Sequence, residues 1–377
     1  MKRTGITDLP LHGGRAPRWL FNRMVKLAGP IVRLIIDEYG VKELLTRLSD
    51  PFWFQAFGNV LGYDWHSSGL TTVLTAVLKE AINPEKFNIA VCGGKGKIAL
   101  KTPVEILEIS EKLGLSDAKA EKLKHISFIT AKVDNAAIQD GYKIYHHSII
   151  FTREGEWAVI QQGMNDTTGY ARRYHWLSYN ISSLVDSPHS AIVGDKRHSN
   201  VLNMVASESR EARKVSVDLV KEDPKKIYSM LKQLSLSTYS LDRWIKGADT
   251  LVKVKGIKYL LMPRKMNWDT LRKAYEFQPK NYEELLSIKG VGPAVIRGLA
   301  LVSELIYGTE VSWKDPVKYS FAYGGKDGVP YPVNRRAMDR SIQLLEESIR
   351  MAEIGERERL NALKRLHLIV PKTLSRT

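Results

Sequence analysis

The sequence lacks the features that mark secreted, membrane-spanning or cysteine-rich zinc proteins. It contains a single cysteine, Cys92, in 377 residues, which excludes an intramolecular disulfide framework and any zinc site built from cysteines. No run of about 18 apolar residues occurs, and the chain turns polar after Ile6, so we expect neither a membrane span nor a signal peptide. These absences favour a reducing, cytoplasmic setting.

Acidic residues are also scarce relative to basic ones. The chain has 57 lysine and arginine residues against 41 aspartate and glutamate residues, which gives a net charge of +16 at pH 7. Because each cation placed on a phosphate releases condensed counterions, this excess favours a polyanionic partner such as nucleic acid. A solvated basic surface would give the same composition, and charge alone does not separate the two interpretations.

The pattern of apolar residues predicts helices first and then a β-hairpin. Apolar residues recur with a helical period over 19–35, and 70–81 has the composition of a buried helix. Two β-rich segments, 142–152 and 157–162, are separated by a four-residue turn that contains glycine, which is typical of a β-hairpin.

Beyond about residue 205 the β signal fades, and helical segments follow one another. We therefore predict an α+β protein with two domains. A mixed α/β domain over 1–205 is the candidate catalytic part, and an all-α domain over 206–377 follows it.

The strongest motif is a pair of predicted helices within 281–307, joined by the tight turn Lys289-Gly290-Val291-Gly292. Glycines let the backbone approach a phosphate, Pro293 suits the first position of the second helix, and that helix N-terminus presents free N–H groups. The segment resembles the helix-hairpin-helix motif of repair and replication proteins, which implies contact with the DNA backbone without sequence information. A Gly-Val-Gly turn can also join helices that bind nothing. The predicted nucleic-acid-binding residues are Lys289, Gly290, Val291, Gly292, Ala294 and Arg297, with Lys265 upstream and Arg172 and Arg173 in the first domain.

Candidates for catalysis surround the predicted β-hairpin. Asp134 and Asp140 offer the hard oxygen ligands that Mg²⁺ or Mn²⁺ prefers, and Lys132 or His146 would polarise the reacting groups. Arg172 and Arg173 would hold the scissile phosphate. Hydrogen-bonded structural roles are the competing interpretation for each of these residues.

Two features weaken the catalytic interpretation. His146 and His147 are adjacent on a predicted strand, so they point to opposite faces and at most one of them joins a given site. The Glu-x-Lys sequence of the common nuclease fold is absent, and Gln161-Gln162-Gly163 stands in its place.

Several motifs together resemble an archaeal and bacterial family catalogued only as DUF763, which is rich in proteins from thermophiles. The resemblance implies a cytoplasmic setting and supplies no catalytic residues. Its motifs are Met1-Lys2-Arg3-Thr4-Gly5-Ile6, Leu9-Pro10-Leu11-His12-Gly13-Gly14, Asp64-Trp65-His66-Ser67-Ser68-Gly69, Gly93-Gly94-Lys95-Gly96-Lys97, Gln161-Gln162-Gly163-Met164 and Phe321-Ala322-Tyr323-Gly324-Gly325-Lys326-Asp327-Gly328.

Three functions therefore compete. The first is a metal-dependent nuclease, a hydrolase of DNA repair or recombination that uses Mg²⁺ or Mn²⁺. The second is a non-enzymatic protein that binds DNA or recruits partners to it. The third is a DNA glycosylase that uses Asp315, although the lysine of bifunctional glycosylases has no counterpart, because Ala294 and Val295 follow Pro293.

Overall fold

In the computed structural model an antiparallel β-sheet lies between two layers of helices. The predicted α+β class is confirmed, with the sheet in the N-terminal part and helices in the C-terminal part. The structure describes residues 16–63, 68–194, 197–242, 253–254, 257–258, 267–317 and 335–369.

Thirteen α-helices occur in these ranges, and short 3-10 segments precede α5 and α7. They are α1 (Arg18–Ser49), α2 (Pro51–Val60), α3 (Gly69–Ala81), α4 (Pro84–Phe87), α5 (Thr102–Lys112), α6 (Asp117–Lys132), α7 (Arg210–Val220), α8 (Pro224–Asp242), α9 (Trp268–Phe277), α10 (Tyr282–Ser287), α11 (Pro293–Leu305), α12 (Arg335–Met351) and α13 (Glu356–Ile369). No helix in the described ranges is both long and apolar enough to cross a membrane.

Nine strands occur in the same ranges, and five of them form the main sheet in the order β1-β3-β4-β5-β6. Strands β2 and β7 pair separately, as do β8 and β9. The strands are β1 (Ile89–Lys95), β2 (Ile138–Gln139), β3 (Lys143–Thr152), β4 (Trp157–Asn165), β5 (Tyr170–Leu177), β6 (Ala191–Val193), β7 (Leu202–Asn203), β8 (Lys253–Val254) and β9 (Ile257–Lys258).

The register of the sheet confirms the predicted hairpin and separates its polar residues. Strands β3 and β4 are antiparallel neighbours, and His146 pairs with Gln162 while His147 pairs with Gln161. Because successive side chains of a strand point to opposite faces, the two pairs lie on different sides of the sheet. Strand β5, which was not predicted, extends both rows: Tyr174 pairs with Gln161, and Arg173 with Gln162.

Each face of the sheet has its own apolar core. On one face Ile149 and Val159 pack with residues of α5, α6, α7, α10 and α11, whereas on the other Ile150 and Ile160 pack with residues of α1, α2, α3, α12 and α13. The first cluster continues across the boundary predicted near residue 205, since Ala212 and Leu299 belong to it together with Ile149. The helices after residue 205 therefore extend the layers that cover the sheet, and the division into two domains stays a prediction.

The buried position of Ile149 gives a test of the fold. Replacing the fully buried Ile149 by alanine should lower the free energy of unfolding by about 2–5 kcal/mol, because the substitution leaves a cavity. The matched control is Val104→Ala on α5, where the side chain is 57% exposed and the change should stay within about 0.5 kcal/mol. Denaturant titration measures both values, and equal losses would contradict the assignment of Ile149 to the core.

Candidate nucleic-acid interface

Helices α10 and α11 are joined by a turn whose backbone lies at the surface. The Asn281 side chain caps α10 by accepting a hydrogen bond from the N–H of Glu284 (2.8 Å), and α11 begins at Pro293. Lys289 and Gly290 are exposed, whereas Val291 is fully buried beneath them. The turn is therefore anchored in the core by one side chain while its main chain remains accessible.

Gly290 is required at its position for two reasons. Its φ of +100° lies in the left-handed region, which L side chains rarely adopt. A Cβ at this position would also lie 2.5 Å from Oγ1 of Thr270. Gly292 differs, because its φ is −142° and the nearest heavy atom to an added Cβ is 3.8 Å away. A side chain at residue 292 is thus compatible with the fold, whereas one at residue 290 is not.

Polar contacts attach the turn and α11 to the end of α6 and to β2. Lys132 Nζ donates to the carbonyl of Val291 (2.6 Å), and Gln139 Nε2 donates to that of Pro293 (2.8 Å). Arg297 Nε donates to Gln139 Oε1 (2.7 Å), and partial burial lowers the pKa of both Lys132 and Arg297. Lys132, which was predicted to take part in catalysis, therefore supports the turn.

An open cleft of about 480 Å³ adjoins the N-terminal turn of α11. Its wall comes from the π-helical segment after α6, from the turn before β3, from the segment 198–200 and from α11. The lining residues are Asn135, Ile138, Gln139, Asp140, Gly141, Tyr142, Lys143, His198, Ser199, Asn200, Pro293 and Arg297.

Beneath this cleft Arg172 forms a buried ion network. Its side chain has no exposed surface, and Nη1 lies 2.9 Å from Asp140 Oδ2 and 2.9 Å from Asp315 Oδ1. Nη2 donates to Asp315 Oδ2 (2.9 Å), so that Asp315 is held by both arms of the guanidinium. Burial lowers the pKa of Arg172, but the two carboxylates raise it by more, and the arginine is charged throughout the physiological range.

The two aspartates of this network are fully occupied by protein donors. Tyr174 donates its hydroxyl to Asp140 (2.6 Å), and burial raises the pKa of Asp140 although Arg172 and Tyr174 oppose the shift. Asp315 also accepts from the backbone N–H groups of His198 (2.7 Å) and Val317 (3.1 Å), and its side chain is 2% exposed. The carboxylate predicted to serve a glycosylase is thus engaged in holding Arg172.

Asp134 lies in a separate buried site. It is carried by the π-helical segment Val133–Ala137, which turns Asp134 into the core while Asn135 lines the cleft. Its Oδ2 accepts from Gln161 Nε2 (2.5 Å) and Trp176 Nε1 (2.9 Å), and Oδ1 lies 2.5 Å from His189 Nε2. These contacts satisfy the carboxylate inside the protein.

His146 and Arg173 face the opposite side of the sheet. Nε2 of His146 lies 3.1 Å from the Thr75 hydroxyl, and burial lowers the pKa of this histidine to about 3. Arg173 is fully buried and donates to Gln55 (3.0 Å) and Thr71 (3.2 Å), and burial lowers its pKa to about 9. Like Arg172, it contacts protein groups and lies away from the surface.

The structure thus distributes the predicted catalytic residues over four places. Lys132 supports the turn, Asp134 and Asp140 occupy different buried sites, and His146 lies across the sheet. Within the part of the chain that the structure describes, no group of three or more His, Cys, Asp or Glu side chains is placed to hold a metal ion. Binding of Mg²⁺ or Mn²⁺ stays a prediction.

Of the predicted nucleic-acid-binding residues, the group at 289–297 comes together on one surface. Lys289 and Gly290 are exposed, Gly292, Ala294 and Arg297 are partly exposed, and Val291 is buried. Lys265 lies outside the described residues, as do the motifs at 9–14 and 321–328 and most of the motif at 64–69. Sequence reasoning missed Tyr142 and His198, which line the cleft, because neither belongs to a recognisable motif.

The chain belongs to the family described as "Protein of unknown function (DUF763)", whose family model matches residues 5–333. No curated protein and no solved structure is significantly similar to it.

The ion network gives a second test. Asp315→Ala leaves Arg172 buried with one carboxylate partner and should destabilise the protein by about 3–5 kcal/mol. Asp37→Ala is the control, because it removes a carboxylate that pairs only with the exposed Arg33 one turn earlier on α1 among the contacts described, and it should cost about 1 kcal/mol or less. Thermal and denaturant unfolding measure both variants. A loss at residue 315 no larger than that of the control would show that the network contributes little to stability.

Glu304 of α11 predicts a pH dependence of stability. Burial raises its pKa to about 7, and the hydrogen bond from Trp313 Nε1 opposes this shift. The native state therefore binds the Glu304 proton more tightly than the unfolded state does. The stability that this proton contributes is lost as pH rises from the ordinary pKa of 4.5 towards 7. Glu304→Gln should remove that decline. Unfolding free energies of both proteins across this range check the expectation, and parallel curves would contradict it.

Proposed function

We propose that this member of the DUF763 family binds the DNA backbone through the turn 289–292 and the first turn of α11. The observation that carries the proposal is an accessible main chain at a helix N-terminus that the rest of the fold holds in place. The exposed turn, the buried plug Val291 and the support from Lys132 and Gln139 together form a rigid surface.

The chemistry of this surface suits a phosphate. The first residues of a helix have no carbonyl one turn earlier to accept their N–H groups, so the amides of Ala294 and Val295 are available to an anion. Lys289 is exposed beside them, and Arg297 and Lys143 lie along the adjoining cleft. A net charge of +16 favours association with a polyanion over the whole molecule.

Binding is better supported than catalysis. A nuclease would need Lys132, Asp134, Asp140 and His146 around one cleft, and the fold separates them. A glycosylase would need Asp315 accessible, and its side chain is buried against Arg172. We therefore favour a DNA-binding role in repair or recombination, and the two enzymatic functions remain predictions.

The test is Gly292→Glu, measured by fluorescence anisotropy with labelled duplex DNA over a series of salt concentrations. A carboxylate at this position would face the phosphate, and like charges in an interface cost enough to lower the affinity by at least roughly tenfold. The matched control is Asn180→Glu, an exposed site in the 3-10 turn after β5 that makes the same charge change. Gly290→Glu is unsuitable, because it would strain the turn and collide with Thr270.

Wild-type protein and Asn180→Glu should bind duplex DNA alike, with affinity that falls steeply with salt and does not depend on sequence. Equal affinity of Gly292→Glu and Asn180→Glu would remove the turn from the interface, and no binding by the wild type would overturn the proposal. The same samples, incubated with Mg²⁺ or Mn²⁺, reveal any cleavage. Metal-dependent cleavage abolished by Asp134→Ala would restore the nuclease interpretation.

A further inference from the structure

The cleft beside α11 is a second feature of this surface, next to the turn 289–292. Its volume of about 480 Å³ lies within the range of about 300–1,000 Å³ that is usual for sites of small ligands. Pro293 and Arg297 belong both to its wall and to the first turns of α11, so the cleft opens directly next to the surface proposed to hold a phosphate.

The lining of the cleft carries two cations, one carboxylate and several neutral polar side chains. Lys143 is exposed at its edge, and Arg297 is held in place by the hydrogen bond to Gln139. Asp140 also lines the cleft, but Arg172 pairs with its carboxylate from below. Amide and hydroxyl groups that can recognise the edges of a base come from Asn135, Ser199 and Asn200.

The floor of the cleft is rigid. The guanidinium carbon of Arg172 lies 4.6 Å from the centroid of the Tyr142 ring. The Tyr142 ring also packs edge to face against the ring of His198, with 5.6 Å between the two ring centroids. The Tyr142 hydroxyl and His198 Nε2 are 3.0 Å apart, and the N–H of His198 is bonded to Asp315. Both rings are thus fixed by the buried ion network, and a ligand would meet a preorganised surface.

We propose that this cleft accepts one unpaired nucleotide. The ligand class is a nucleoside monophosphate, either free or at the end of a DNA strand whose neighbouring phosphate rests on the N-terminus of α11. The volume of the cleft suits one small ligand, and the Watson–Crick edge of a base is open to the amide and hydroxyl groups of the lining only when the base is unpaired. The strand-end form of this inference rests on the proposed function, whereas the free-nucleotide form can be tested without it.

The first arm uses free ligands with the full chain. Deoxyadenosine monophosphate should shift NMR resonances of residues around 139–143 and 198–200, and deoxyadenosine, which lacks the phosphate, should bind at least roughly tenfold more weakly. Asn200→Ala and Lys143→Ala should each reduce binding of the monophosphate, whereas Lys119→Ala, an exposed lysine of α6, should leave it unchanged. Absence of any shift at the cleft would overturn the free-nucleotide form of the proposal.

The second arm compares blunt duplexes with duplexes that carry a single-stranded overhang. The wild type should prefer the overhang by roughly tenfold, and Asn200→Ala should abolish that preference while it retains affinity for the blunt duplex. Equal affinity of the wild type for both DNAs would overturn the strand-end form and leave the proposed function intact. If the wild type binds neither duplex but still binds the monophosphate, the proposed function is contradicted and the cleft remains a nucleotide site.

Discussion

The burial of one guanidinium governs the arrangement of the rest of the molecule. Arg172 projects from β5 with no exposed surface, and its charge is balanced by Asp140 before β3 and Asp315 after α11. A buried cation is tolerated only where its partners satisfy it, so the three segments must come together whenever the protein folds. The network therefore joins the sheet to the segment that follows the helix pair α10–α11.

Three further hydrogen bonds connect this network to the helix pair at the surface. Lys132 and Gln139 bind carbonyl groups at the start of α11, and Glu304 on the same helix accepts from Trp313, two residues before Asp315. The helix is thus fixed at both ends against the rest of the fold. The conformational entropy of this segment is lost when the protein folds and not when a ligand binds. The main-chain donors at the N-terminus of α11 are therefore preorganised for an anion.

The buried Arg173 on the other face of the sheet is stabilised by neutral groups in place of carboxylates. It has neutral hydrogen-bond partners in Gln55 and Thr71, and the Phe54 ring lies 4.8 Å from its guanidinium carbon. The two adjacent arginines therefore show how one strand can bury cations on both faces of a sheet. Neither reaches the surface, whereas Lys289 and Lys143 are exposed near the start of α11.

Local patterns predicted much of the fold. The hairpin β3–β4, the opposite orientation of His146 and His147, and the helix pair around Gly290 all follow from periodicity or turn chemistry, which depend on neighbouring residues. Strand β5 escaped prediction because Arg172, Arg173 and His175 are polar residues buried within it, contrary to their usual preference for the surface.

The site was less predictable, for a related reason. Asp140 and Asp315 are brought to Arg172 across 32 and 143 residues of chain, and no pattern in a single sequence pairs such distant charges. Sequence reasoning found Asp134, Asp140 and His146 as polar residues near a hairpin, but it gave them one shared site. The fold gives each of them partners of its own.

The measurement that tests the central claim most directly is amide hydrogen exchange of the full chain, with and without duplex DNA. If the backbone of the turn and the start of α11 bind a phosphate, the amides of residues 289–292 and 294–296 should exchange more slowly in the complex, while those of α1 on the far side of the sheet should not change. Protection elsewhere with no change at 289–296 would contradict the account.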